Sequence, residues 1–387
     1  MTELSQRIRD VQTPIIPEVA DLIKANPGTI SLGQGVVFYK PPLSITQGVA
    51  NFRSLDSHHY EAVEGIEQLR TMICEKIRNE NGIDPAAYET VVCAGSNMGF
   101  LNAVVAICDP GDEIILLKPW YFNHEMAITM ANCVAVSVDT DSDFQPNIDV
   151  IEQAITKRTR AVVTISPNNP TGAVYSKNTL NQINELCGRH DIFHIHDEAY
   201  EYFCYDGATH YSPASSKRSE NHTISLFSTS KSFGMANWRI GYMVIPPRLF
   251  KSIRKIQDTN LICPPVISQY AAIECLRQGR QFCQEYVESL NSVRNYLADS
   301  INPLDGITFS PLQGAFYAFL QLPKQQLSDF EIVRYLIETH KVAIIPGSAF
   351  GVTDLCCLRV SYGALEPQTA ISGIDRLANG FADLLGL

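Results

Sequence analysis

Apolar residues along this chain come in short unbroken blocks separated by amphipathic stretches. The blocks at residues 90–94 (Thr-Val-Val-Cys-Ala), 113–117 (Glu-Ile-Ile-Leu-Leu), 161–165 (Ala-Val-Val-Thr-Ile), 193–196 (Phe-His-Ile-His) and 223–227 (Thr-Ile-Ser-Leu-Phe) have little polar alternation. Such continuity predicts strands covered on both faces. Between the blocks lie helical patterns such as residues 180–187, where Leu180, Ile183 and Leu186 recur at helical spacing. Strand then helix, repeated from residue 45 to residue 290, predicts an α/β fold with a mainly parallel sheet. Ligands of such sheets sit beyond the carboxyl ends of the strands.

Beyond residue 290 the pattern changes. A long helical stretch leads to a short run at residues 306–309, an apolar run at 316–320, a helix near 328–340 and a last helix after Pro367. This mixture predicts a smaller α+β unit. We therefore expect a large domain over residues 45–290, and a small domain built from residues 1–44, which include an N-terminal arm, together with 291–387.

Composition narrows the classes of function. With 387 residues, 45% of them hydrophobic and 18% charged, the chain can bury a core large enough for two domains. A net charge of −11 argues against nucleic acid or an anionic membrane as partner, and for a small-molecule substrate. The eleven cysteines show no C-x-x-C spacing, the first residues are polar, and no run approaches the roughly 20 apolar residues of a membrane span. A reducing, cytoplasmic compartment is expected. The glycosylation triplet Asn221-His222-Thr223 then stays unused.

The chemistry concentrates around Lys231, in Phe-Ser-Thr-Ser-Lys-Ser-Phe-Gly-Met-Ala-Asn-Trp-Arg-Ile-Gly-Tyr at residues 227–242. A lysine among serines and glycines, followed by Arg239, suits an amine that condenses with an aldehyde beside a bound phosphate, which points to pyridoxal phosphate. Asp197 closes an apolar strand, where a buried carboxylate needs a positive partner such as a protonated pyridine nitrogen, unless it merely caps a helix. Gly95-Ser96-Asn97 follows a strand and opens a helix, so its free N–H groups and the helix dipole suit a phosphate. Ser228 and Arg239 would complete that cradle, the guanidinium with two donors at once. Arg359, inside the apolar run Leu358-Arg359-Val360, needs an anionic partner, either a substrate or a structural acid.

Further segments stand in a characteristic order: Leu32-Gly33-Gln34-Gly35, Tyr60, Pro167-Asn168-Asn169-Pro170-Thr171-Gly172, Asp197-Glu198-Ala199-Tyr200, Pro346-Gly347 and Arg359-Val360-Ser361. With the lysine motif they resemble the class I/II pyridoxal-phosphate-dependent aminotransferases of fold type I. In motif they are nearest to kynurenine, glutamine–phenylpyruvate and methionine aminotransferases. The resemblance implies a mainly parallel seven-stranded sheet in the large domain and a homodimer. It implies an enzyme that moves an amino group from an L-amino acid to a 2-oxo acid in two half-reactions. It gives Lys231, Asp197 and Tyr200 catalytic roles, and sets Tyr200 and Asn169 beside the cofactor phenolate oxygen. Tyr121 aligns with the aromatic residue that stacks on the cofactor ring, with Trp120 as the competing choice. Arg359 would grip the substrate α-carboxylate with Gly35 and Asn169 beside it, and Tyr60 would reach the phosphate in a neighbouring subunit.

Other signals count for less. His194 and His196 lie two apart, but Asp197 points to the opposite face of the strand, so no metal site is expected. His124-Glu125 lacks the second histidine of a zinc-protease helix, and Gly33-Gln34-Gly35 lacks the third glycine of a dinucleotide fingerprint. The chain departs from the resembling family at Val36-Val37-Phe38-Tyr39, where an aromatic residue and Pro-Asp-Phe are usual. An apolar loop there would leave a substrate side-chain carboxylate unpartnered, which favours aromatic or otherwise uncharged donors. No arginine stands between Lys255 and Pro265, the segment where the resemblance to aspartate aminotransferases would place the arginine for the distal carboxylate, although Arg254 or another group could substitute. The same cofactor chemistry also serves β-lyases and cyclising synthases. A sensor built on this fold would carry an added basic DNA-binding segment, for which the first 30 residues leave no room.

Overall fold

A computed structural model describes residues 5–55 and 58–387. Seven strands form the main sheet: β1 (Glu89–Cys93), β2 (Glu113–Lys118), β3 (Val134–Asp139), β4 (Thr159–Ile165), β5 (Phe193–Asp197), β6 (Thr223–Ser228) and β7 (Gly241–Ile245). Their order is β1-β7-β6-β5-β4-β2-β3, with β7 antiparallel to both neighbours and the remaining pairs parallel. All five strands read from the apolar blocks are present. The pattern did not disclose β3, an edge strand of mixed exposure, or β7.

Alternation along each strand feeds two different layers. Ile114 and Leu116 pack with Phe100, Val104 and Ile128 from the helices Ser96–Ile107 and Phe122–Met130. Ile115 and Leu117 pack on the other face with Leu180, Ile183 and Leu186 of the helix Lys177–Arg189. Covering both faces explains why these strands read as apolar runs. The helix Lys177–Arg189 starts where the Ser176 side chain accepts from Thr179 N–H, a local cap for one of its unpaired donors.

A 36-residue helical segment, Val266–Ile301, passes through residue 290 and is interrupted instead at Gly279, whose φ of 60° lies outside the helical region. It leads to a three-stranded antiparallel sheet in which β10 (Cys357–Ser361) lies between β8 (Tyr317–Gln321) and β9 (Ile345–Pro346). Near the other end of the chain, Ile30–Ser31 pairs in parallel with Val342–Ala343. Leu32 continues this path, accepting from Ser361 N–H at 2.7 Å, and so brings residues 33–35 against β10.

Candidate active site

The carboxyl edge of the main sheet gathers the chemistry. Asp197 ends β5, Ser228 ends β6, the 166–172 turn leaves β4, Gly95 follows β1 and Tyr121 follows β2. Ser96, Asn97, Tyr121, Asn169, Asp197, Tyr200 and Lys231 line one cleft with about 300 Å³ of empty space.

Lys231 sits in the short helix Thr229–Ser232, capped by Ser228, whose Oγ accepts from Ser230 N–H at 3.2 Å. Burial lowers its amine to a pKa of about 8; Arg239 and Arg359 push the same way, against Asp197. Tyr39 donates to the Lys231 carbonyl oxygen at 2.6 Å and stacks on Tyr286 at 4.1 Å, which braces the lysine backbone from the 36–39 loop.

The Asp197 carboxylate is buried; one oxygen accepts from Ala199 N–H at 3.0 Å and the other stands 3.3 Å from His124 Nε2. His124 lies flat on Phe100, with ring centroids 4.0 Å apart, and edge-on to Tyr121 at 5.2 Å. It is fixed behind the acid. Tyr121 lines the cleft and its hydroxyl accepts from Asn123 Nδ2 at 2.7 Å, whereas Trp120 packs its ring over Gly351.

Gly95 has φ 84°, a left-handed value that favours glycine, and caps the helix Ser96–Ile107. A Cβ there would also strike the Arg239 guanidinium, with Cζ only 3.0 Å away. That guanidinium is exposed beside the helix start, donating to Ala236 O at 2.8 Å and Ala94 O at 3.4 Å. The first N–H groups of the helix have no intrahelical acceptors. Donors and a cation thus converge where an anion would sit.

On the opposite side, Arg359 is 2% exposed and bonds neutral acceptors, Asn169 Oδ1 at 3.0 Å and Gly33 O at 2.6 Å. Its Nε has no partner among the described residues, and its guanidinium lies 4.7 Å from the centre of the Tyr317 ring and 5.0 Å from that of Phe350. Desolvation disfavours its charge. Gly35 is next to this group, because a Cβ on it would lie 2.8 Å from the Tyr317 hydroxyl. Tyr60 is the exception: at 78% exposure it lies outside this cleft, beside Phe52, His58 and Pro264.

Residues 28–377 match the family model described as aminotransferase class I and II. The chain belongs to the class I and II aminotransferases. It is 33% identical to the aromatic aminotransferase ISS1 of Arabidopsis thaliana, over 99% of this chain and 97% of that one. It is 29% identical to an aspartate/prephenate aminotransferase of Thermus thermophilus, with 100% of each covered. Among solved structures, a single mutant of the Thermus thermophilus aspartate aminotransferase superposes with a TM-score of 0.90 at 30% identity, covering 98% of this chain and 100% of that one. This aminotransferase therefore has fold type I and depends on pyridoxal phosphate, and it transfers amino groups between amino acids and 2-oxo acids. The cleft fits that cofactor: a low-pKa amine, a buried acid and a glycine-bare anion cradle stand at its wall.

Two residues of this aminotransferase site escaped the sequence reading. His124 was weighed only as half of a zinc motif, yet its position one helical turn after Tyr121 was a usable signal. Tyr317 carried no local signal, since its hydroxyl partner, Tyr200, is 117 residues away in the chain. His194 and His196 meet at Thr164 Oγ1, at 2.8 and 2.6 Å, on the sheet face away from Asp197.

Proposed function

We propose that this aminotransferase takes aromatic or otherwise uncharged L-amino acids as donors, and that the residues of the cleft divide the work as follows. Bound pyridoxal phosphate supplies an aldehyde for the amino group and a ring that accepts electrons as the Cα–H bond breaks. Lys231 Nζ holds the aldehyde until substrate arrives, then removes and returns the proton at the substrate Cα as general base and acid. Asp197, braced by His124, keeps a proton on the ring nitrogen. Tyr121 packs on the ring. Tyr200 donates to the phenolate oxygen, and so does Asn169 Nδ2, since Asn169 Oδ1 is already engaged by Arg359. Gly95, Ser96, Asn97, Ser228 and Arg239 hold the phosphate.

The observation that carries the reading is the buried Arg359 without an acidic partner among the described residues. A desolvated guanidinium facing only neutral acceptors is costly. A substrate α-carboxylate would offset that cost through a bidentate contact, with Gly35 beside it. For the side chain, Arg239 is committed to the phosphate and Arg359 to the α-carboxylate, and Arg254 is held by Glu64 at 3.1 Å. In the 36–39 loop, Phe38 and Tyr39 both pack on Tyr286, so the loop is aromatic and carries no charge.

Arg359→Ala is expected to lower kcat/KM for every amino donor by about 30- to 1,000-fold, the loss of about 2–4 kcal/mol from a buried charge pair. Absorbance titration of the holoenzyme should show phenylalanine or methionine converting the bound cofactor at lower concentration than aspartate. Aspartate as the better donor, or an Arg359→Ala enzyme with unchanged KM, would overturn the reading. We further propose a cytoplasmic homodimer in which Tyr60 reaches the phosphate of the neighbouring subunit. Its 78% exposure beside Phe52, Leu55, Pro264 and Pro265 supports a surface that a second copy covers.

A further inference from the structure

Tyr317 is the first residue of β8, and it touches three things that the proposed function needs. Its hydroxyl is 2.8 Å from the Tyr200 hydroxyl, with the two rings edge-on at a centroid distance of 5.5 Å. Its ring lies under the Arg359 guanidinium. Its hydroxyl also occupies the space that a side chain at Gly35 would need.

Neither phenol has a second side-chain or main-chain hydrogen bond among the described residues, and both are buried. Two hydroxyls that share one bond have one proton left over. Whichever phenol accepts that bond is the one whose proton is free to point elsewhere. Tyr200 lines the cleft while Tyr317 does not. A donor toward the cleft must therefore be Tyr200, which fixes Tyr317 as the donor to Tyr200.

We propose that Tyr317 is a positioning residue whose hydroxyl donates to the Tyr200 oxygen, committing the Tyr200 proton to the cleft, and that Gly35 lacks a side chain so that this hydroxyl has room. The inference rests on Tyr200 donating to the cofactor phenolate oxygen. Burial holds both phenols protonated, pushing Tyr317 up to about 12, so neither supplies a charge. A chain of two donors polarises along its length and strengthens its last bond. Tyr317 also ties the two ends of the site together, because the ring under Arg359 and the hydroxyl on Tyr200 belong to one side chain. Gly35, the last residue of the Leu-Gly-Gln-Gly segment, thereby acquires a physical reason that does not involve contact with substrate.

The test is the pH dependence of the absorbance of the lysine-bound cofactor, whose midpoint reports how well donors stabilise its deprotonated form. Tyr317→Phe should raise that midpoint by about 0.3–0.7 unit, less than Tyr200→Phe. Gly35→Ala should raise it similarly, by displacing the hydroxyl. In the double variant Gly35→Ala/Tyr317→Phe the new Cβ meets only ring carbons, at 3.8 Å or more, so no further rise is expected. Shifts that add in the double variant would mean that the alanine acts by a route other than the Tyr317 hydroxyl, and would overturn the role proposed for Gly35. A Tyr317→Phe midpoint equal to wild type, with Tyr200→Phe shifted, would overturn the proposal and leave the role of Tyr200 standing. Wild-type midpoints in both variants would remove the role of Tyr200 as well. Each variant reports its own folding through the cofactor absorbance itself.

Discussion

At Lys231 the protein solves a problem of nucleophilicity. An ordinary lysine, with a pKa near 10.4, is only about 0.1% neutral at pH 7.5. Burial first, then Arg239 and Arg359, bring Lys231 to about 8, so that about a quarter is neutral at the same pH. The sign is that of a base whose charged form is penalised: the free amine is available from lower pH. The rate at which cofactor-free enzyme captures pyridoxal phosphate should therefore climb about tenfold per pH unit below 8 and level off above it, as followed by stopped-flow absorbance. A rate still climbing tenfold per unit between pH 9 and 10 would show an unperturbed lysine. Arg239→Gln removes the cation with the larger effect on Lys231 and should move the plateau to higher pH.

At the scale of elements, close backbone approach matters as much as side-chain chemistry. The helix Ile45–Arg53 crosses Val266–Ile301 so tightly that a Cβ on Gly48 would lie 2.8 Å from Ala271 Cα and closer still to the Tyr270 carbonyl. Neither backbone can yield by a rotamer change. Gly48→Ala should therefore destabilise the protein by about 1–3 kcal/mol, read as a lower denaturant midpoint, although alanine favours an isolated helix by about 0.5–1 kcal/mol. A midpoint at or above wild type would mean that the two helices separate at little cost. The element scale also shows where sequence reading stops. Strands β2, β4, β5 and β6 were legible because both of their faces are buried, which leaves an unbroken apolar signature. Strand β3 hides because Val134 at the sheet edge is 47% exposed and only Val138 of its six residues is buried. The run Gly241-Tyr-Met-Val-Ile is apolar enough to read as a strand, but its antiparallel insertion between β1 and β6 follows from long-range pairing that no local pattern encodes. The cleft residues on β-strand ends and turns, such as Asp197 and Gly95, were legible for the same local reason. The Tyr317–Tyr200 contact was not, because it joins the turn after β5 to a separate sheet 117 residues on.

At the scale of the molecule, Tyr60 separates two arrangements of the site. It is exposed on its own chain, near a cleft lined by Phe52, Leu55, Pro264 and Pro265. If it serves the phosphate of a second copy, each site of a two-fold dimer combines Lys231 of one subunit with Tyr60 of the other. Consider a hybrid of one Lys231→Ala subunit and one Tyr60→Phe subunit. With Tyr60 acting across the interface, one site carries both substitutions and the other carries neither. With Tyr60 acting within its own chain, each site carries one substitution and none is intact. The surviving lysine site of the purified hybrid should therefore bind pyridoxal phosphate as tightly as wild type, whereas the Tyr60→Phe homodimer should bind it about tenfold more weakly, the loss of one hydrogen bond to a charged group at about 1.5 kcal/mol. Weak binding in the hybrid, equal to that of the Tyr60→Phe homodimer, would place the tyrosine in its own subunit. A protein that sediments as a monomer when loaded with cofactor would remove the shared site altogether, and the exposed apolar surface around Tyr60 would then need another occupant.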